Sequence, residues 1–343
     1  MSVEARKWEW ALNELGFRTR RIAGEFDDAL RPDDVWLPFL AMDPLPGATP
    51  EPDALGAALS GADLVVVENV CSLPLNLEAS SIVADGVGEF HGRVLFHHHD
   101  LPWERDHLAH LTQFPPRQPG SLHIVINEHA QRALADRGLE SHLIRNAFDL
   151  SPRPGDRDET REALGFASDD VVVLQPTRAI PRKQVAAGIR FAEQLDEAVA
   201  PRRVRFWLTG PAEDGFGPEL DRLVRDAHLP ITLGRAPKKE DAYAAADCVV
   251  FPSSAEGFGN PVIEALAVGL PVVVAHYPVL DELVALGLRF LSIDEPGVVA
   301  ARIATPDVAI IASNRRCLEE HFDLADLPTR IADVFATVGW DRW

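Results

Sequence analysis

Two glutamates, Glu256 and Glu264, have seven residues between them in the stretch Pro252-Ser-Ser-Ala-Glu-Gly-Phe-Gly-Asn-Pro-Val-Ile-Glu264. A carboxylate accepts two hydroxyl protons at once, which suits it to a sugar or ribose diol. The segment around Glu264 is otherwise apolar (Pro261-Val-Ile-Glu-Ala-Leu-Ala-Val268), and an unpaired carboxylate buried there would be costly. A polar ligand is therefore expected beside it. Gly257 and Gly259 permit backbone paths that other residues resist. Asn260 suits an N-cap and Pro261 a first helical position, so a helix is predicted from Pro261 to Val268. Its N-terminus would offer free N–H groups and partial positive charge to a phosphate. Two cations, Arg178 and Lys183, are five positions apart in Pro176-Thr-Arg-Ala-Ile-Pro-Arg-Lys183. Cations of this kind stabilise a departing diphosphate as its charge grows. Taken alone, Arg178, Arg182 and Lys183 would read as a solvated basic loop, with Arg182 the surface member or a guard on the diphosphate.

A third group, His97-His98-His99-Asp100, follows a strand-like run. Neighbours in an extended segment point to opposite faces, so only His97 and His99 could share a site. No bound metal is expected. Trp103 and Arg105 follow and could wall a sugar site, although core packing accounts for Trp103 equally well.

The elements that must position these residues alternate along the chain. Short, valine-rich runs occur at 63–67, 93–96, 122–126, 170–174, 204–208, 231–233, 247–251 and 271–275. Helical segments separate them, the pattern of parallel sheets covered by helices. Arg178 and Lys183 follow the strand ending near Gln175, at the carboxyl edge where open α/β sheets bind ligands. Asn127 reads as the cap of a helix beginning at Glu128. A proline-bearing polar stretch at 148–158 marks a linker. The first domain is placed at 1–150 and the second at 151–324, with a terminal helix at about 325–343, Trp340 and Trp343 included, packing back on the first. The amino end is unusual. An amphipathic helix from Glu4 to Leu15, with Ala5, Trp8, Leu12 and Leu15 on one face and Gly16 closing it, has only three residues before it. A strand from Phe17 to Ile22 is expected next. The first strand and glycine-rich turn of a doubly wound domain are not seen ahead of that helix.

Composition bounds the rest. The 343 residues allow two ordinary domains, and the 46% apolar and 25% charged fractions are those of a water-soluble chain. A net charge of −20 repels nucleic acid and anionic membranes, so neither is an expected partner. No apolar run reaches the length of a membrane span. The opening residues do not resemble a secretory leader. Cys71, Cys248 and Cys317 lack metal-like spacing, and a reduced, cytoplasmic setting fits them.

The paired glutamates resemble the E-x7-E signature of retaining glycosyltransferase family 4, the group 1 glycosyltransferases. Further marks occur in the family's order. They are Arg178 with Lys183, the strand-ending Gly210 in Leu208-Thr-Gly-Pro211, the pre-linker Ile144-Arg-Asn-Ala-Phe-Asp149, and Ala245-Ala-Asp247. The resemblance covers most of residues 60–290. It implies an α/β GT-B fold: two Rossmann-like domains with parallel sheets facing across a cleft. It further implies Arg178 and Lys183 on the donor diphosphate, the Gly257-Phe258-Gly259-Asn260 backbone beside the sugar, Glu256 near that sugar, and Glu264 on the ribose. His99 or His98 would stand near donor sugar and acceptor, with Asp100 orienting it or touching the acceptor. Glu282 is a weaker candidate. No permanently bound cofactor is implied; the donor substrate would be a nucleotide-diphosphate sugar, with UDP or GDP as the expected base carrier. The acceptor would be a soluble sugar, metabolite or glycan. The expected reaction is transfer to an acceptor hydroxyl with retention. Two alternatives are a sugar-nucleotide epimerase of the same fold and a non-catalytic nucleotide-sugar-binding protein.

Overall fold

The computed structural model describes residues 3–340. The chain forms two compact units, one of Met1–Ala147 with Leu324–Trp343, the other of Phe148–Asp323.

The first unit opens with α1 (Val3–Glu14), which buries Trp8, Ala11 and Leu12. Ala11, rather than the expected Ala5, completes the apolar face. Glu4 is also buried there, paired with Lys7 at 2.8 Å. The strand expected at Phe17–Ile22 is reduced to β1 (Ile22–Ala23), in parallel register with β2 (Val35–Trp36). The reason is local: Arg21 is tied by its guanidinium to Asp28 and Asp34, so the chain between the two strands wraps around that cation. Next come α2 (Pro52–Leu59), β3 (Leu64–Glu68), α3 (Leu77–Gly88), β4 (Arg93–His98), β5 (Leu122–Val125), α4 (Glu128–Ala135) and β6 (His142–Leu143). Strands β3 to β6 form a parallel sheet in chain order. Alternation along β4 sorts its residues between two layers. Val94 and Phe96 pack with Leu55, Leu59, Val83 and Val87. Leu95 packs with Trp8, Leu12, Ile331 and Phe335. The last two belong to the chain's final helix, which lies against α1. Trp340 joins that layer through Phe335, with ring centroids 5.7 Å apart; Trp343 lies outside the described residues.

The second unit contains α5 (Arg157–Leu164), β7 (Val171–Gln175), α6 (Val185–Ala198), β8 (Val204–Leu208), α7 (Gly217–Asp226), β9 (Ile231–Leu233), α8 (Lys239–Ala245), β10 (Cys248–Phe251), α9 (Asn260–Ala267), β11 (Val272–Val274), α10 (Pro278–Ala285), β12 (Leu291–Ser292), α11 (Pro296–Ala304) and α12 (Val308–His321). The helix returning to the first unit is α13 (Leu327–Thr337). The sheet is wholly parallel, in the order β12-β11-β10-β7-β8-β9. Every residue of β7 and β10 is buried, as expected of central strands covered on both faces. From β7 the chain builds outward through β8 and β9, then returns to β10 on the other side. The strand order therefore reverses between β7 and β10, and ligands of open α/β sheets bind outside the carboxyl ends of the strands at such a point. Among the described residues no single helix is long and apolar enough to cross a membrane. The pair α11 and α12 meets that test only jointly and is bent by 95°.

Candidate active site

The loops that leave β7 and β10 meet at the reversal. Gln175, fully buried at the end of β7, donates from Nε2 to the carbonyl of Lys183 at 2.9 Å and to Thr177 Oγ1 at 3.2 Å. It thereby folds residues 176–183 back over the sheet edge. Gly210 lets the end of β8 approach this loop: a Cβ there would lie 2.4 Å from the Thr177 carbonyl oxygen. From the β10 side, Ser254 N donates to the Arg182 carbonyl at 3.0 Å. Arg182 in turn donates to the Ala255 carbonyl at 2.9 Å and to Glu256 at 3.1 Å. Lys183 is ion-paired to the other oxygen of Glu256. Its ammonium also lies 5.3 Å from the centroid of the Phe251 ring. Burial lowers the Lys183 pKa and Glu256 opposes that shift. One carboxylate thus holds two cations at the sheet's carboxyl edge, and Arg182, expected at the surface or as a guard on the diphosphate, is one of them.

Helix α9 starts one residue earlier than expected. Gly259, at φ +94°, is the capping residue and Asn260 is the first helical one, so Asn260 is not the N-cap. The left-handed backbone favours glycine here, and a Cβ would also come within 2.9 Å of the Tyr277 hydroxyl. Phe258 is buried, its ring 6.0 Å from that of Phe148 and 5.8 Å from that of Phe322. Its side chain anchors the loop. Glu264 has the partner its burial requires: Tyr243 on α8 donates to it at 2.7 Å and Lys239 pairs with it at 2.9 Å. Burial and Glu264 together push the Tyr243 hydroxyl well above its ordinary pKa, so it is a donor at every physiological pH. Arg178 stands apart from this cluster. Its half-exposed guanidinium pairs with Glu213 at 2.6 Å. Glu282 is buried within α10.

In the first unit His97 and His98 are both buried, and they point to opposite layers. His98 enters a closed chain. Its Nδ1 is 2.5 Å from Ser72 Oγ, its Nε2 is 2.9 Å from His123 Nδ1, and His123 Nε2 is 3.1 Å from Ser121 Oγ. That occupation removes His98 as a partner for a sugar. His97 and His99 share the opposite face with Glu68, the last residue of β3. Ligand-type atoms of the three lie within 4.8 Å of one another. Asp100 is 3.7 Å from Arg105. Arg137, not a sugar, covers the ring of Trp103 here, at 3.7 Å from its centroid. Asn127 caps α4 by accepting from Ala130 N at 2.6 Å.

Residues 173–309, which hold the end of β7, β10, α9 and both loops, match the family described as glycosyl transferases group 1. The mannosylglucosylglycerate synthase of Thermotoga maritima is 30% identical over 280 residues, or 70% of this chain and 64% of that protein. Residues 173–309 belong to the group 1 glycosyltransferase family. The family resemblance drawn from the glutamate pair and its companions is borne out, and so is the fold. A glycosyltransferase from Rickettsia africae superposes with a TM-score of 0.73 at 13% identity, covering 99% of this chain and 96% of that one. Anabaena HepE in complex with UDP-glucose superposes with a TM-score of 0.68 at 23% identity, covering 83% and 82%. Both have the GT-B architecture. The chain spans a little under two thirds of the length of its Thermotoga relative.

Four contributors escaped sequence reasoning. Tyr243 and Lys239 sit on α8, more than twenty residues before Glu264, and only the fold brings them together. Glu68 ends β3 in Val65-Val-Val-Glu68, and an acid closing a hydrophobic strand is the one signal that could have marked it. Asn69 has φ +60°, a conformation asparagine tolerates better than most residues.

Proposed function

We propose that this chain transfers a sugar from a nucleotide-diphosphate donor to a hydroxyl of a small soluble acceptor, with retention of anomeric configuration. The observation that carries the reading is the convergence of Lys183 and Arg182 on Glu256 where the sheet order reverses, beside the start of α9. Without a ligand, the carboxylate neutralises both cations. A donor diphosphate takes its place, and the freed Glu256 accepts hydrogen bonds from the sugar hydroxyls. Arg178, released from Glu213, joins Lys183 on the phosphates. The Gly257-Phe258-Gly259-Asn260 backbone and the amino end of α9 add N–H groups. Glu264, held by Tyr243, accepts from the ribose diol. His99 and Asp100 are assigned to the transferred sugar and the acceptor.

In the reaction, the bond between the anomeric carbon and the diphosphate oxygen breaks on the face where the acceptor oxygen bonds. The leaving phosphate takes the acceptor's proton. Lys183 and Arg182 stabilise the charge that grows on the diphosphate. The Thermotoga relative's name denotes a small polar glycoside as product, which supports a small acceptor rather than a lipid. The buried thiols Cys71, Cys248 and Cys317 support a reducing, cytoplasmic setting.

The test has two stages. A thermal-shift panel of UDP, GDP, ADP and dTDP identifies the base, since a ligand that binds the native state raises its melting temperature. The matching sugar donor is then incubated with candidate acceptors, and the product anomer is read by proton NMR. Acceptor-dependent release of nucleotide with a retained anomer is expected. Donor turnover without acceptor, giving an isomerised sugar nucleotide, would replace transfer with epimerisation. Absence of any diphosphate-induced shift would end the reading.

A further inference from the structure

Glu68, the last residue of β3, and the following Asn69 form a socket for His99 and Asp100. Glu68 grips side chains. One of its oxygens is 2.6 Å from His99 Nε2, and the other is 3.0 Å from His97 Nδ1. Asn69 grips backbone. Its Oδ1 accepts from His99 N at 3.0 Å and Asp100 N at 3.3 Å, while its own N–H donates to the His97 carbonyl at 2.9 Å. The two residues β3 presents at its end thus fix both the ring and the main chain of the residue pair assigned above to sugar and acceptor.

The proton positions follow from the partners. Glu68 is ionised: burial opposes its charge, but His97 and His99 outweigh burial and hold the carboxyl well below the usual carboxylate range. An ionised carboxylate only accepts, so both ring nitrogens that face it carry hydrogen. His97 is buried against Trp8, ring centroids 4.3 Å apart, and its Nε2 has no hydrogen-bond partner among the described residues. Burial lowers its pKa, so it is the neutral tautomer, with hydrogen on Nδ1. A metal-bound imidazole would be expected to give its other nitrogen a hydrogen-bond partner, which His97 lacks. His99 differs. Burial works against its cation, but Glu68 outweighs burial and raises the pKa above its ordinary value. The other charged groups that act on His99 are Glu4 of α1, itself paired with Lys7, and its neighbour Asp100.

We propose that Glu68 and Asn69 are positioning residues for transfer: Glu68 holds the His99 ring through the Nε2 hydrogen bond, which leaves Nδ1 as the ring atom for the substrate, and Asn69 sets the backbone that carries it. The assignment rests on the transferase reading for its substrate but not for its geometry.

The test therefore starts on the ligand-free protein. Imidazole ¹⁵N NMR titration follows His99, assigned with His99→Gln, in the wild type and in Glu68→Gln. The wild-type ring is expected to titrate above the ordinary histidine value. Glu68→Gln is expected to weaken its proton affinity by about tenfold. With donor and acceptor in hand, transfer falls as pH rises through the His99 titration. Glu68→Gln shifts that limb about one unit lower, with a kcat loss of about tenfold at pH 8 and little change in donor KM. Asn69→Ala lowers kcat without moving the limb. An unshifted His99 titration in Glu68→Gln would overturn the proposal whether or not a donor has been found. So would stoichiometric Zn²⁺ binding that Glu68→Gln abolishes, because the cluster would then be a metal centre. Should no sugar nucleotide be turned over, the transferase reading fails while the NMR result still decides the Glu68–His99 pairing.

Discussion

The two units assemble their polar groups at the carboxyl ends of parallel strands, but they neutralise them with different chemistry. In the second unit the partners are fixed charges: Lys183 and Arg182 on Glu256, Lys239 on Glu264, Arg178 on Glu213. In the first unit the partners are histidines, on Glu68 along one face of β4 and in the chain through His98 and His123 along the other. Lysine, arginine and glutamate keep their charges across the physiological range, whereas imidazole changes state within it. On the proposed reading the second unit would hold a donor diphosphate with an affinity nearly independent of pH near neutrality, and the pH dependence of transfer is expected from the first.

The strongest way to break this contrast is Lys183→Met. It removes a buried cation of the second unit and leaves Glu256 with Arg182 alone. The expected loss in kcat is about 10³-fold, with the pH profile unchanged in shape. Arg178→Ala is expected to cost far less, because in the ligand-free state that guanidinium is half-exposed on Glu213. Steady-state rates from pH 6 to 9 check both. Equal losses from the two substitutions would show that Arg178 leaves Glu213 and carries as much of the diphosphate as Lys183. A pH limb that moves with Lys183→Met would place a titrating group in the second unit after all.

The same contrast explains what the sequence disclosed. The second unit's strands were legible because buried parallel strands read as unbroken valine runs, and its site because one short motif holds Glu256, the glycines and Glu264. Its partners were not all legible. Tyr243 and Lys239 reach Glu264 only because α8 and α9 lie together, and Arg182 joins Glu256 because Gln175 folds its loop over the sheet. In the first unit, the alternation rule correctly put His97 and His99 on one face. It could not say that β3 pairs with β4 in a register that sets Glu68 beside His97. The expected strand at Phe17–Ile22 failed for another reason: Arg21 draws Asp28 and Asp34 around itself, and two residues of pairing are all that remain.

A smaller effect sharpens the second unit's side. Glu264→Ala removes an acceptor that Tyr243 holds at 2.7 Å. A hydrogen bond to a charged group contributes about 1.5–3 kcal/mol, so donor KM should rise about 10- to 100-fold with kcat nearly kept. Tyr243→Phe, which frees the carboxylate without deleting it, should raise KM only a few-fold. Isothermal titration with the nucleoside diphosphate measures the same loss without turnover. An unchanged affinity in Glu264→Ala would remove the ribose from that carboxylate.

The smallest effect belongs to the first unit and concerns stability. Burial lowers His123 to about 4 and also depresses His98, so the folded state leaves both neutral. In the unfolded chain a histidine binds its proton near pH 6.5. Between that value and about 4, the unfolded state holds more protons than the folded one, and stability must fall as pH falls. His99, raised in the folded state by Glu68 after burial is overcome, has the opposite sign: its contribution is present below pH 6.5 and lost as pH rises through its folded value. The His98–His123 chain thus contributes acid sensitivity, as does His97 on the other face of β4, which burial also lowers, while His99 opposes them. His123→Gln retains a donor and an acceptor while removing one titrating group. Its urea midpoint should lie below the wild type's at pH 7.5, and the gap should shrink by about 1–2 kcal/mol at pH 5. A gap that stays constant with pH would mean that His123 binds its proton as readily in the folded sheet as in the unfolded chain, and burial would then not hold it neutral.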